Sequence, residues 1–288
     1  MMIRTCRMAM LLALFGLVGA PIIVTPPTGW CADGDGSIAE SSDYFPDTIG
    51  NRWQYRGQIS EGPLQTIENK FFSNVSSVTG TKALKGGMAV MVFHDTNPGN
   101  HGPSDSLYRR DAAGIVYYGS EPGTTLERQL VPYQIVRFPM RVSTSFKQFD
   151  RTDIDFGNDL DGDGTSERAD VRGQATVVGR ESVMVPAGSY NDAVKVEAKM
   201  TLRIHLSAAK RSVVGTDVMT AWFVKGIGLV KYLERQELGA LKEDRGLVTE
   251  IIEELEEFDV KPNEGLLSRR ETPPQRVLTH DTGGQKLQ

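Results

Sequence analysis

Cysteine is nearly absent from this chain. The two present, Cys6 and Cys31, both lie at the N-terminus. The rest of the protein therefore holds neither a disulfide nor a thiolate metal site. At 288 residues it needs no such staples, because a chain this long can be stabilised by its core. Histidine is scarce as well. His94, His101, His205 and His280 are all there are, and none sits in an H-E-x-x-H or similar zinc pattern. An excess of basic residues is also lacking. Thirty-two Lys and Arg against 37 Asp and Glu leave a formal charge of -5, which excludes nonspecific nucleic-acid binding, since that needs a cationic surface to displace counterions. There is no G-x-S-x-G and no phosphate-binding loop, and Gly226-Ile227-Gly228 reads as a hairpin turn because no helix follows it. With no catalytic set in view, the expectation is a protein that is not an enzyme.

Long apolar runs are missing too, except at the start. Arg4 and Arg7 precede an almost unbroken apolar stretch from Met8 to Val24, followed by small and polar residues up to Ala32. That is the layout of a secretory signal, so residues 1–32 are expected to be a signal peptide. The competing reading is a transmembrane anchor, but Pro21 interrupts the run and its length is marginal for a bilayer. Removing this segment strips two arginines and no acid, which makes the remainder more acidic still. Thr28-Gly29-Trp30-Cys31 partly resembles a lipoprotein signal, although Trp30 stands where a small residue is usual. The expected location is periplasmic or extracellular, with membrane attachment only if Cys31 is lipidated.

Residues 33–43 are acidic and rich in Gly and Ser, and read as a flexible lead-in. From Tyr44 onward the pattern is β-like. Arg52 to Arg56 alternates apolar with polar, Met88 to Phe93 is a short continuous apolar run, and Ser106 to Tyr118 reads as a hairpin about Gly114. Ala175 to Gly179, Glu181 to Pro186, Ala193 to Leu206, Met219 to Val224 and Leu229 to Glu234 continue in the same style. Thr249 to Phe258 is ambiguous. Its Glu and Leu content favours helix, but strands precede it throughout and it is read as a closing strand. The expected fold is all-β, mainly antiparallel, a barrel, half-barrel or sandwich with little helix. One β domain is expected over 44–260, with a disordered tail over 261–288. There is also a faint internal echo, since Phe45-Pro46-x-x-Ile49-x-x-x-Trp53 matches Phe138-Pro139-x-x-Val142-x-x-x-Phe146.

One motif carries chemistry. Asp159-Leu160-Asp161-Gly162-Asp163-Gly164, with Asp170 at position twelve, follows the calcium-loop pattern D-x-D-x-D-G. Ca²⁺ takes six to eight oxygens, and carboxylates at alternate positions of a tight loop converge on one point. The expected ligands are Asp159, Asp161, Asp163, the Thr165 carbonyl, Glu167 and Asp170. The ion would be structural. Two features depart from an EF-hand: position twelve is Asp rather than Glu, and position eight is Ser166 rather than an apolar residue. The flanks are β-like, so an isolated loop between strands is expected. The competing reading is a solvated acidic turn, because Asp and Gly are also good turn formers. His94-Asp95 and His101 read as a polar loop tip rather than a site. Trp53, Trp222 and the tyrosines read as core rather than as a ligand groove.

Three segments together resemble a group of exported, uncharacterised bacterial β proteins. They are Tyr44-Phe45-Pro46 with Gly50, Trp53 and Tyr55; Val183-x-Val185-Pro186-Ala187-Gly188-x-Tyr190 with Ala193, Lys195 and Val196; and Trp222-Phe223-x-Lys225-Gly226-Ile227-Gly228 with Val230 and Lys231. The resemblance spans about residues 44–235, and its motifs identify turns and core aromatics, not catalytic groups. Some of these proteins are similar in architecture to curved-sheet carriers that shuttle lipoproteins or lipids across the periplasm. Two functions follow as expectations. The first is a noncatalytic structural or interaction module with a calcium-stabilised loop, bound to an unknown protein. The alternative is a periplasmic carrier of a lipid or other apolar ligand. A hydrolase using the loop's metal ranks last.

Overall fold

The computed structural model describes residues 36–63, 68–241 and 246–261. The expected signal peptide, Cys31 and all but the first residue of the expected tail lie outside them. Twelve strands form one antiparallel sheet that curls into a nearly closed barrel, as the alternating pattern predicts. They are β1 (Arg52–Pro63), β2 (Glu68–Ala83), β3 (Ala89–Asp95), β4 (Ser104–Asp111), β5 (Gly114–Glu121), β6 (Tyr133–Arg137), β7 (Thr144–Asp155), β8 (Arg168–Val185), β9 (Gly188–Leu206), β10 (Arg211–Val224), β11 (Gly228–Leu238) and β12 (Leu247–Asp259). One short helix, α1 (Thr125–Leu130), joins β5 to β6. Its start is fixed by a capping box in which Thr124 and Glu127 each accept from the other's backbone N–H, at 3.0 and 3.1 Å.

Around the barrel the order is β6-β5-β4-β3-β2-β1-β12-β11-β10-β9-β8-β7. Each strand pairs with its neighbour in sequence, except that β1 pairs with β12 and β6 does not pair with β7. The discontinuity of the sheet therefore lies in mid-chain. Side chains bridge it. Gln148 donates to the Gln134 carbonyl at 3.2 Å, and the Gln129 amide exchanges two hydrogen bonds with the Asp155 backbone at 2.8 and 3.0 Å, as a paired strand would. Tyr133 meets Phe149 edge-on at 5.0 Å, and the Arg137 guanidinium lies 4.4 Å from the Phe146 ring centre. An unpaired strand edge is a template for aggregation, and these contacts cover it.

The lead-in contributes as well, which corrects the expectation of a flexible segment from Gly36 onward. Ile38 donates to the Met140 carbonyl at 2.7 Å, and Val142 donates to Gly36 at 2.9 Å. The Ser41 hydroxyl then donates to Ile38 and accepts from Met140. Ile38 is the physical reason. It is fully buried with Tyr44, Val136, Met140 and Val177, so one apolar residue anchors an otherwise polar stretch. The two echoed segments also meet here, with the Phe45 and Phe138 rings 5.9 Å apart.

The three segments behind the family resemblance converge in space. Trp53, Tyr55, Val183, Val185, Ala193, Trp222 and Val230 share one core cluster. The indole of Trp53 donates to the Ile227 carbonyl at 2.7 Å, and that of Trp222 donates to Glu181 at 2.6 Å. A second line of contacts crosses the inner wall. Trp53, Phe93, Tyr108, Tyr117, Tyr133 and Phe149 follow one another with ring centres 5.0 to 6.2 Å apart. Such offset and edge-on pairs add to the stabilisation from burial. Gly57 makes room inside the barrel. The Phe72 ring from the facing position on β2 lies where a Cβ would stand, 2.2 Å away.

Candidate functional site

The acidic loop links β7 to β8, between strands as its flanks predict. The structure brings together three of the six expected ligands. Carboxylate oxygens of Asp159, Asp161 and Glu167 all lie within 4.8 Å of one another. Glu167 is fully buried. Asp163 and Asp170 do not join them. Asp163 turns to the next hairpin, accepting from the Ser207 hydroxyl at 2.7 Å and from the Thr165 N–H at 2.8 Å, and these bonds hold its carboxyl below the usual range. Asp170 sits in β8, where its carboxylate faces His205 at 3.1 Å and accepts from the Asp153 N–H. Position twelve of an EF-hand belongs to a helix that folds back over the ion. Here it falls on a strand and projects from the sheet, so Asp170 cannot close the shell. Thr165 is exposed at the loop tip.

Backbone donors organise the loop. Asp159 accepts from the N–H groups of Gly162, Asp163 and Gly164 at 2.7 to 3.2 Å. Asp161 accepts from Ala208 at 2.9 Å, and Glu167 accepts from Ser207 at 3.0 Å. The carboxylates thus clamp the turn between β9 and β10. One oxygen, Asp161 Oδ1, is buried with no hydrogen-bond partner.

The second feature was not read from the sequence. The inner wall bounds a partly open cavity of about 260 Å³, lined by residues of β1–β6 and β9–β12 and by the segment Tyr44 to Asp47. Much of its surface is apolar, with Trp53, Phe93, Tyr108, Met219, Phe223 and Ile251 among the lining. The remainder is polar, with Asn74, Ser106, His101, Arg110 and Gln236 beside the acids. Asp95, Glu234 and Glu253 all line it. Glu253 accepts from the Gly99 N–H at 2.8 Å and from the Asn74 amide at 3.1 Å. The same amide reaches Asp95 at 3.3 Å. Glu234 accepts from the Tyr232 hydroxyl at 2.8 Å and from Gln236 at 2.5 Å. Behind them, buried Asp217 faces Gln236 across the β10–β11 ladder and leaves its Oδ1 without a partner.

Burial dominates the electrostatics here. It pushes Glu253 up to about 7, with Asp95 and Glu234 adding to the rise and the Gly99 and Asn74 bonds opposing it. It pushes Asp95 up to about 6, against hydrogen bonds from Ser76 and Asn74. Asp217 is raised well above the ordinary range by burial and by Glu234. Asp95, expected at a polar loop tip, instead closes β3 at the cavity wall, and His101 lines the cavity too. His94 is committed elsewhere, to Asp105 at 2.7 Å.

No family model matches the chain. No curated protein matches it either. Among solved structures, a candidate lipoprotein from Parabacteroides distasonis ATCC 8503 is similar over 75% of this chain and 98% of its own, at 16% identity and a TM-score of 0.31. That likeness is too loose to assign fold or function.

Proposed function

We propose that this protein is an exported, noncatalytic binding module that carries a small apolar-bodied ligand inside its barrel. The observation that supports the reading is the cavity. Ligand sites are concave and mostly apolar, with a few placed polar groups, and that is the composition of this lining. A carrier of this kind accounts for a barrel whose interior is left partly unfilled. Native mass spectrometry of the protein purified from its own compartment tests it. A small-molecule adduct is expected, and Ala221→Trp, which fills the cavity from its wall, should abolish it. A bare mass that stays bare after incubation with apolar compounds would refute the carrier reading.

The acidic loop supports a second, compatible reading, a structural Ca²⁺ held by Asp159, Asp161 and Glu167. Their convergence and the unpartnered Asp161 oxygen favour it. The ion would complete a shell that three carboxylates begin and water finishes, and it would fix the loop to the β9–β10 turn. Export remains part of the proposal through residues 1–32, and attachment to a membrane through Cys31.

A further inference from the structure

We propose that the ligand of the cavity is a cationic amphiphile, an alkyl or arylalkyl amine whose ammonium group sits against Glu253 and Asp95. This inference rests on the carrier reading and adds the chemistry of the cargo.

The charges lining the cavity carry the case. Arg110 is the lining's only lysine or arginine, and its charge is taken up by Asp47 and by the carbonyls of Ser42 and Phe45. Asp95 and Glu253 line the cavity beside Glu234 and His101, and the His94–Asp105 pair lies next to Asp95. The other groups around Glu253 are neutral polar ones: Asn74 from β2, Tyr55 from β1, Tyr232 from β11 and the Gly99 amide. Asp217 adds a fourth acid from β10.

Burial and like charges both oppose the ionisation of a carboxylate, and Glu253 meets both, from desolvation and from Asp95 and Glu234 beside it. An ammonium group relieves both at once. It brings three donors to oxygens that keep free lone pairs after accepting from Asn74 and Gly99. A carboxylate or phosphate ligand would meet repulsion from Glu253 and Asp95, and a neutral one would bring them no opposite charge. The aromatic walls suit the same cargo. Trp53, Phe93 and Tyr108 offer faces to an apolar body, and ring faces attract rather than repel a nearby cation.

Three eight-carbon probes with different heads separate the possibilities: octylamine, octanol and octanoate, each titrated into the intact protein at pH 8 by calorimetry. Octylamine stays protonated there, since alkylamines titrate near 10.4, roughly as lysine does. Octylamine should bind at least about tenfold more tightly than octanol, and octanoate should bind most weakly. Glu253→Gln should cut octylamine affinity about tenfold and leave octanol affinity unchanged. Asp95→Asn supplies the same comparison if Glu253→Gln does not fold. Lowering the pH from 8 to 5 should weaken octylamine binding, as Glu253 and Asp95 take up protons, and should not weaken octanol binding. Octanol or octanoate binding as tightly as octylamine would overturn the cationic assignment while the carrier reading stands. Failure of all three probes to bind would overturn both.

Discussion

Glu253 offers a quantitative test of how the barrel interior is balanced. Its carboxyl is 4% exposed and its pKa is displaced from 4.5 to about 7. Folding therefore raises this group's proton affinity. Below about pH 4.5 the acid is neutral in both states and costs nothing. As pH rises through 7 the folded protein must hold a buried anion, and the stability present at low pH is lost. At 1.36 kcal/mol per pH unit, the loss by pH 8 is about 3 kcal/mol. Glu253→Gln removes the charge but keeps one carbonyl oxygen, so one of the two donors from Gly99 and Asn74 loses its acceptor. That costs about 1 kcal/mol. The variant should thus be more stable than the wild type by about 2 kcal/mol at pH 8. It should be less stable by about 1 kcal/mol at pH 4.5. A domain of this size shifts its melting temperature by about 2–4 °C per kcal/mol, so both signs are measurable. Urea melts of the ligand-free proteins at pH 4.5, 6, 7 and 8 provide the assay. A variant destabilised equally at every pH would refute the reasoning, for it would mean that Glu253 is ionised throughout and favourably paired.

Two further outcomes follow from the geometry. Calcium at about 100 times its Kd should raise stability by about 2.7 kcal/mol. Asp161→Asn should abolish that gain while leaving the melt in chelator unchanged, because the amide oxygen still accepts from Ala208. Magnesium should substitute poorly, since it gives up its waters reluctantly, and coincident melts in chelator, calcium and magnesium would identify the loop as a carboxylate clamp alone. At the seam, Gln129→Ala deletes both hydrogen bonds to the Asp155 backbone and should cost about 2 kcal/mol in urea melts; a change under about 0.5 kcal/mol would show that the aromatic and guanidinium contacts close the barrel unaided.

Strands were legible wherever inward positions are apolar. Ala193 to Leu206 alternates cleanly and is a strand along its whole length. Thr249 to Phe258 resisted because Glu253 occupies an inward position between Ile251 and Leu255, which breaks the period that marks a strand. The same substitution hides the cavity. Asp217 and Glu234 also stand in the inward phase of their strands. An acid in phase with the apolar face was the available signal, and it points to a site more directly than the aromatics do. Helix α1 is too short to show periodicity and was not read from the sequence; its Thr124-x-x-Glu127 capping box is the signal that could have found it. The loop was legible as a cluster of acids. Its closure was not, because the twelve-residue pattern assumes a helix where β8 already begins. Ala175–Gly179 and Glu181–Pro186 are one strand, β8, bent by register shifts near Gly179 and Glu181. The cavity itself gathers residues from strands far apart in sequence, and no local window contains that information.

The pairing of β1 with β12 has a consequence in time. Strand pairs β1 to β6 can form in order as the chain emerges, each beside the last. The β1 edge then waits for residues about two hundred positions later, so loop-closure entropy is spent at the final step. Until Leu247–Asp259 arrives, Trp53, Tyr55 and Ile59 have no wall to pack against on that side, and an open strand edge is exposed. Losing the last strand is therefore graver than a cut between β6 and β7, where only the short pairing with Gly36 to Ile38 would be disturbed. The sheet already has one gap, between β6 and β7, and loss of the 13 residues of β12 would leave it with two.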